Sequence, residues 1–138
     1  MLFLQLNVRV AMAALLLLAP VASFACRCVE PGPSASAYKN AAAVIVGTVV
    51  SVRHNLEKTA IATVRVSKRW KKEIADEVEV ATVATTCAFD FVQGTEYLFY
   101  LRELPANGGY STARCRGNVA MDQSEKQLYW LKRNAVSK

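Results

Sequence analysis

The chain has 138 residues, a length that allows one domain and rules out a two-domain enzyme. Its 17 basic and 11 acidic residues give a formal net charge of +6, and 20% of all residues are charged. With 53% hydrophobic residues, this composition is typical of a folded globular domain. It argues against an intrinsically disordered chain and against a bundle of membrane-spanning helices.

Residues 1–25 have the composition of an export signal. A single charge, Arg9, precedes an apolar run, and small residues stand at the predicted cleavage site after Ala25. The run is shorter than the roughly 20 residues that cross a bilayer. We therefore expect a mature domain over residues 26–138, no membrane contact after signal removal, and a secreted protein, extracellular or periplasmic. An uncleaved anchor and a lipid attached to Cys26 are the alternatives.

Four cysteines lie in the predicted mature part: Cys26, Cys28, Cys87 and Cys115. In an exported protein such an even number predicts disulfides, and four cysteines allow three connectivities. A bond between Cys26 and Cys28 would close a small strained ring, which leaves two connectivities open. In an extended segment Cys26 and Cys28 point to the same side, so both can bond into the body of one domain. A zinc site is the alternative, although Cys87 and Cys115 stand alone rather than in the usual paired knuckle.

Five segments have the β-branched, aromatic or alternating composition of strands: residues 43–52, 59–70, 77–83, 96–101 and 110–113. Gly47 interrupts the first segment and predicts a bulge where a barrel closes. The fourth segment is apolar on both faces, which predicts a central strand. Two helices are predicted, over residues 34–42 with Ser34 as N-cap, and from a capping box at Asp122 to about Arg133. We expect a mainly β protein, a five-stranded closed barrel of the oligonucleotide/oligosaccharide-binding (OB) type with one or two flanking helices, stapled by disulfides.

Enzymatic chemistry has little support, so we expect a protein that is not an enzyme and has no cofactor. The single histidine, His54, lies in a polar turn, and no serine, threonine or cysteine lies in a nucleophile motif. The carboxylates between Glu73 and Glu79 are typical of a solvated loop and strand face. The basic run from Lys68 to Lys72 invites comparison with single-strand nucleic-acid binders. Because acidic residues follow it directly, a charged hairpin end is favoured, and we expect no nucleic-acid partner.

Cleavage after Ala25 would make Cys26 the N-terminus of the mature protein. An α-amine has a pKa of about 7.7–8.0, so a sizeable neutral fraction exists near pH 7. A neutral amine is a good ligand for Zn²⁺, and the carbonyl oxygen of Cys26 would close a five-membered chelate ring. Catalytic zinc in a protease keeps a position open for water, and a rigid N-terminus could displace that water.

The opening residues Cys26-Arg-Cys-Val-Glu-Pro-Gly-Pro33 resemble the start of the inhibitory domain of tissue inhibitors of metalloproteinases, within the netrin-like module group. In that family Cys-x-Cys-Val-x-Pro-x-Pro directly follows the signal peptide. The similarity continues through Val46-Gly47, Cys87-Ala-Phe-Asp-Phe and Gly94-x-x-Tyr-Leu, and it ends at Cys115 before a final helix. It therefore covers nearly the whole predicted mature chain.

The resemblance implies an OB-type barrel with disulfides Cys26–Cys87 and Cys28–Cys115. It also implies that the amine and carbonyl of Cys26 chelate the zinc of a secreted metalloprotease in trans, with the protein acting as a monomer. Arg27 would then enter the specificity pocket on the primed side of the protease. The implied contact residues are Cys26, Arg27, Cys28, Val29 and Glu30, with Thr85 and Thr86 as a second strip.

The chain departs from the family pattern in two ways that bear on function. The third disulfide that the family usually has is missing, and Tyr38 stands near the place of one of its cysteines. The family usually has Thr or Ser where this chain has Arg27, and burying an unpaired guanidinium in an apolar pocket costs several kcal/mol. A secreted netrin-like binding or adaptor module without protease inhibition is therefore the alternative hypothesis. Because the C-terminal domain of animal members is absent, the resemblance suggests a bacterial relative.

Overall fold

Five strands close into a barrel in the computed structural model of the chain, which describes Cys26, Cys28 and residues 34–135. The strands are β1 (Ala43–His54), β2 (Ala60–Trp70), β3 (Glu77–Thr82), β4 (Glu96–Glu103) and β5 (Tyr110–Thr112). The sheet order is β1-β2-β3-β5-β4, and antiparallel pairing between β4 and β1 closes it. Neighbouring strands are antiparallel except β3 and β5, which are parallel. The expected mainly β fold with a closed five-stranded barrel is confirmed.

Short elements complete the fold: α1 (Ser34–Asn40), β6 (Val119–Ala120) and α2 (Glu125–Asn134), with single 3₁₀ turns at Arg114–Arg116 and Met121–Gln123. The two flanking helices agree with expectation, but the capping box predicted at Asp122 is wrong. Helix α2 begins at Glu125, and the hydroxyl of Ser124 donates to the carbonyl of Met121 at 2.7 Å. Asp122 lies inside the 3₁₀ turn before the helix and is therefore not the N-cap, and Ser124 at the N-cap position forms no side-chain hydrogen bond to the helix N–H groups.

Strand β4 contributes side chains to two apolar clusters, one on each of its faces. Phe99 and Leu101 pack inside the barrel, whereas Leu98 and Tyr100 pack on the outside beneath the helices. Residues alternate between the two faces of a strand, and both faces of β4 are covered, so all four side chains are buried. The outer cluster includes Leu131 of α2, so the helix covers the second face. The prediction that this strand is central is confirmed.

Strand β1 carries two register shifts relative to β2, and the first lies at Gly47 as predicted. A Cβ atom on Gly47 would collide with the side chain of Val64, so the close pairing of β1 with β2 at this point requires glycine. The second shift falls between Val49 and Ser51. Pairing of β1 with β4 ends at Thr48, and beyond that point β1 pairs with β2 alone. The end of the β1–β2 hairpin therefore extends past the closed part of the barrel.

Candidate functional site

Two disulfides meet at one corner of the barrel, and we call this place the disulfide corner. Cys26 is bonded to Cys87 with a Cα–Cα distance of 5.0 Å, and Cys28 is bonded to Cys115 with a distance of 5.1 Å. The Sγ atoms of Cys26 and Cys115 lie 3.4 Å apart, close to van der Waals contact. These are the pairs that the family resemblance implies. Together they attach the chain to the barrel at two points that are two residues apart.

The residues before Cys87 form a turn that is fixed to the rest of the corner. The Cys87 N–H donates to the hydroxyl of Thr85 at 3.1 Å, and the Ala88 N–H donates to the Thr85 carbonyl at 2.9 Å. The Arg114 N–H donates to the Cys87 carbonyl at 2.8 Å, which ties the turn to the segment that carries Cys115. Thr85 and Thr86 are exposed. The disulfide from Cys26 therefore ends beside an exposed strip of two threonines.

Part of the predicted contact surface lies outside the described residues. Arg27, Val29 and Glu30 belong to this part, as does the predicted signal over residues 1–25. Cys26 is described and is half-buried, and Cys28 is described and is exposed. Cleavage after Ala25 stays a prediction.

The sulfur atoms of Cys26, Cys28 and Cys115 lie within 4.8 Å of one another, a spacing that is also compatible with a metal site. All four cysteines are in disulfides, and none is a free thiol. Structural zinc sites use thiolate sulfur as ligand. In the oxidised protein the corner therefore offers no ligand of the kind that the zinc alternative requires.

Positive charge flanks the corner around Cys115. The Arg114 guanidinium forms an ion pair of 2.9 Å with Asp90, so the positive charge of Arg114 is locally neutralised. Burial, and to a lesser extent the nearby guanidinium of Arg102, lowers the pKa of Arg116. Neither Arg102 nor Arg116 has an acidic partner among residues 34–135. A partner that approaches this side of the corner meets a positively charged surface.

The basic run from Lys68 to Lys72 is occupied by contacts within the chain. Arg69 pairs with Asp76 at 2.9 Å, and Lys72 pairs with Glu103 at 2.6 Å. That hydrogen bond to Glu103 raises the pKa of Lys72. The ammonium of Lys68 lies over the ring of Trp70, 5.1 Å from its centroid. Lys71 donates to three backbone carbonyls near the end of α1. The run closes the β2–β3 connection, which agrees with its interpretation as a charged hairpin end.

A cleft of about 470 Å³ opens next to the threonine strip, between the end of the β1–β2 hairpin and residues 82–91. Phe89 and Phe91 line it, half-buried and packed edge to face with ring centroids 5.3 Å apart. Thr85 also lines the cleft and so connects it with the disulfide corner. This site was not predicted from the sequence, although the spacing of Phe89 and Phe91 around Asp90 is typical of a segment with one apolar face.

Comparison with known proteins adds no family to this description. No protein-family model matches the chain, and no curated protein matches it. Among the described residues, no helix combines the length and apolar composition that crossing a membrane requires.

Proposed function

We propose that residues 26–138 form a secreted metalloprotease inhibitor-like domain, released by cleavage after Ala25. The amine and carbonyl of Cys26 bind the catalytic zinc of a target protease and displace its water. The observation that carries this proposal is the disulfide corner, where Cys26 is bonded to Cys87 directly beside exposed Thr85 and Thr86. The opening motif Cys-x-Cys-Val-x-Pro-x-Pro, placed at a predicted cleavage site, is the second support.

The corner supports the proposal through its rigidity. A flexible terminus would lose conformational freedom on binding, and this loss opposes association. Cys26 is covalently fixed, its disulfide lies against the Cys28–Cys115 bond, and the turn at Cys87 is held by hydrogen bonds. The conformational entropy of the N-terminus is therefore lost during folding and not on binding. A terminus held in this way presents its amine in one direction.

Arg27 narrows the class of protease that the proposal can address. A guanidinium remains charged at any physiological pH, and an apolar pocket offers it no partner. The pocket that receives Arg27 must therefore contain a carboxylate or remain open to water. Arg27→Thr removes this requirement, and we expect the variant to inhibit proteases with apolar pockets that the wild-type protein does not inhibit.

A cleavable leader placed directly before Cys26 tests the mechanism within one protein sample. Each added residue moves the free amine by up to about 3.3–3.6 Å, and the leader converts the Cys26 nitrogen into an amide without basicity. The uncleaved protein should fold and form both disulfides but fail to inhibit a panel of secreted zinc proteases. Removal of the leader, verified by N-terminal sequencing, should restore inhibition. Acetylation of the restored amine should abolish it again.

Two results would contradict the proposal. Equal inhibition before and after leader removal would exclude chelation by the Cys26 amine. Absence of inhibition by both the wild-type protein and Arg27→Thr across the panel would favour the netrin-like binding module. N-terminal sequencing of the exported protein is a separate check, because any start other than Cys26 removes the mechanism.

A further inference from the structure

The last residues of β1 expose one edge of the strand. Strand β1 pairs with β4 only as far as Thr48, whereas its pairing with β2 continues to His54. Val49 still uses its groups on the β4 side: its N–H donates to Thr95 and its carbonyl accepts from Gly94, at 3.0 and 2.7 Å. Beyond Val49 that edge has no strand beside it among the described residues.

The hydrogen-bond phase of β2 shows which groups of β1 lie on the free edge. The Val66 N–H donates to the backbone carbonyl of Asp76, on the side of β3. The backbone groups of successive residues in a strand point in alternate directions, so those of every second residue counted from Val66 face β3. The backbone groups of Thr63 and Ile61 therefore face β1. Across the sheet, Thr63 and Ile61 stand opposite Ser51 and Arg53 of β1.

Ser51 and Arg53 therefore direct their backbone groups towards β2, and the Asn55 N–H continues this series by donating to the Thr59 carbonyl at 3.1 Å. Val52 and His54 direct their N–H and C=O groups the opposite way. No residue that the structure describes forms a backbone hydrogen bond with Val52 or His54 on that edge.

The residues of this free edge border the cleft beside the disulfide corner. Val52 and His54 both line the cleft, together with Phe89 and Phe91. A volume of about 470 Å³ is within the usual range of ligand sites. The cleft thus combines two pairs of backbone donors and acceptors at strand spacing with an apolar aromatic surface. A peptide in extended conformation has the complementary donors and acceptors at the same spacing, and its alternate side chains can contact the aromatic rings.

We propose that this cleft binds an extended peptide segment of a partner protein, which adds as a strand to β1 at Val52 and His54. The peptide places apolar side chains on Phe89 and Phe91 and directs the intervening side chains to solvent. The rim carries both signs of charge, with Glu57 and Lys58 at the hairpin end, so backbone pairing and apolar contact dominate over net charge. This interaction does not require the protein to be a protease inhibitor.

Selection from a phage-displayed library of random ten-residue peptides on the immobilised, oxidised protein tests the site. We expect enriched peptides with alternating apolar residues. His54→Pro removes the edge N–H at His54, and proline is tolerated on the open edge of a strand. His54→Ala is the matched control, because it removes the same imidazole but keeps the N–H. Synthetic copies of the enriched peptides should bind His54→Pro about tenfold more weakly than His54→Ala.

Amide hydrogen exchange gives a second readout on the unaltered protein, which matters if His54→Pro disturbs the hairpin. Peptide binding should slow exchange of the Val52 and His54 amides and leave that of Arg53 unchanged. Failure to enrich any peptide, or exchange unchanged at Val52 and His54 in the complex, would overturn the proposal. A concentration-dependent dimer that is lost in His54→Pro but kept in His54→Ala would overturn it in favour of a second copy of this chain as occupant.

Discussion

At the scale of single residues, Lys71 binds two parts of the fold together. Its ammonium donates to the carbonyls of Tyr38, Lys39 and Ala41 at distances of 2.5–3.1 Å, and it lies 5.1 Å from the centroid of the Tyr38 ring. Carbonyls at the C-terminal end of a helix lack partners within the helix and carry partial negative charge. Lys71 therefore caps α1 and attaches it to the end of β2.

Lys71→Met should lower the free energy of unfolding by about 1–2 kcal/mol, because it keeps the aliphatic stem and removes hydrogen bonds from a charged donor. Lys68→Met is the control, since within the described part of the chain Lys68 has the Trp70 ring as its one polar or cation–π partner, and its loss should change stability by less than about 0.5 kcal/mol. Urea unfolding of both variants provides the measurement. Equal destabilisation by the two substitutions would show that the hydrogen bonds from Lys71 to α1 do not stabilise the fold.

Tyr100 is 2% exposed, and its hydroxyl has no hydrogen-bond partner among the described residues. Burial raises its pKa to about 12. An unfolded chain releases this proton near pH 10, whereas the folded chain keeps it, so stability falls as the pH rises from 10 to 12. Tyr100→Phe should be at least as stable as the wild-type protein at pH 7. At pH 11 it should also lack about 1.4 kcal/mol of the alkaline loss, about half of the loss that is complete only above pH 12.

Urea unfolding of wild-type protein and Tyr100→Phe at pH 7 and pH 11 checks this expectation. Other groups that titrate at alkaline pH are common to both proteins, so their effects cancel in the difference between the two. If both proteins lose the same stability between these pH values, the Tyr100 hydroxyl reaches a partner or solvent.

At the scale of elements, the bend of β1 depends on the absence of a side chain at Gly47. Gly47→Ala should cost about 1–3 kcal/mol, because its methyl group collides with the Val64 side chain. In a Val64→Ala background the collision is relieved, and the added cost of Gly47→Ala should fall to less than half. A double-mutant cycle measured by urea unfolding gives this coupling directly. Additive effects would place the strain in the backbone rather than in contact with Val64.

The elements also show which parts of the fold the sequence can predict. Alternation and β-branched residues predicted the five barrel strands, because a half-buried sheet imposes a period of two on the side chains. The capping box at Asp122 failed because Asp122 lies inside the 3₁₀ turn that precedes α2, and the helix begins only at Glu125, with Ser124 as its N-cap. Nothing in the sequence predicted the free edge at Val52 and His54. The bulge between Val49 and Ser51 reverses the direction of the backbone N–H and C=O groups that follow it, and it does so without requiring a particular residue type. The side-chain pattern reveals the aromatic face of the cleft but not its strand edge.

At the scale of the whole molecule, the two disulfides connect the N-terminal segment with distant parts of the barrel. They span sequence separations of 61 and 87 residues, so each restricts the unfolded chain to a similar extent. Their placement differs, because Cys26–Cys87 ends at the threonine strip whereas Cys28–Cys115 ends at the turn before β6. Stability and positioning of Cys26 are therefore separable by removing one bond at a time.

Removal of either bond, by Cys26→Ala/Cys87→Ala or by Cys28→Ala/Cys115→Ala, should lower the free energy of unfolding by about 2–4 kcal/mol. The two losses should be similar, because the chain-entropy effect grows only slowly with loop length. If the proposed inhibition holds, loss of Cys26–Cys87 should weaken it far more, since this bond alone joins Cys26 to the strip with Thr85. Urea unfolding and protease inhibition, measured on the same correctly cleaved samples, distinguish the two effects. Stronger loss of inhibition without Cys28–Cys115 than without Cys26–Cys87 would show that the strip does not position Cys26.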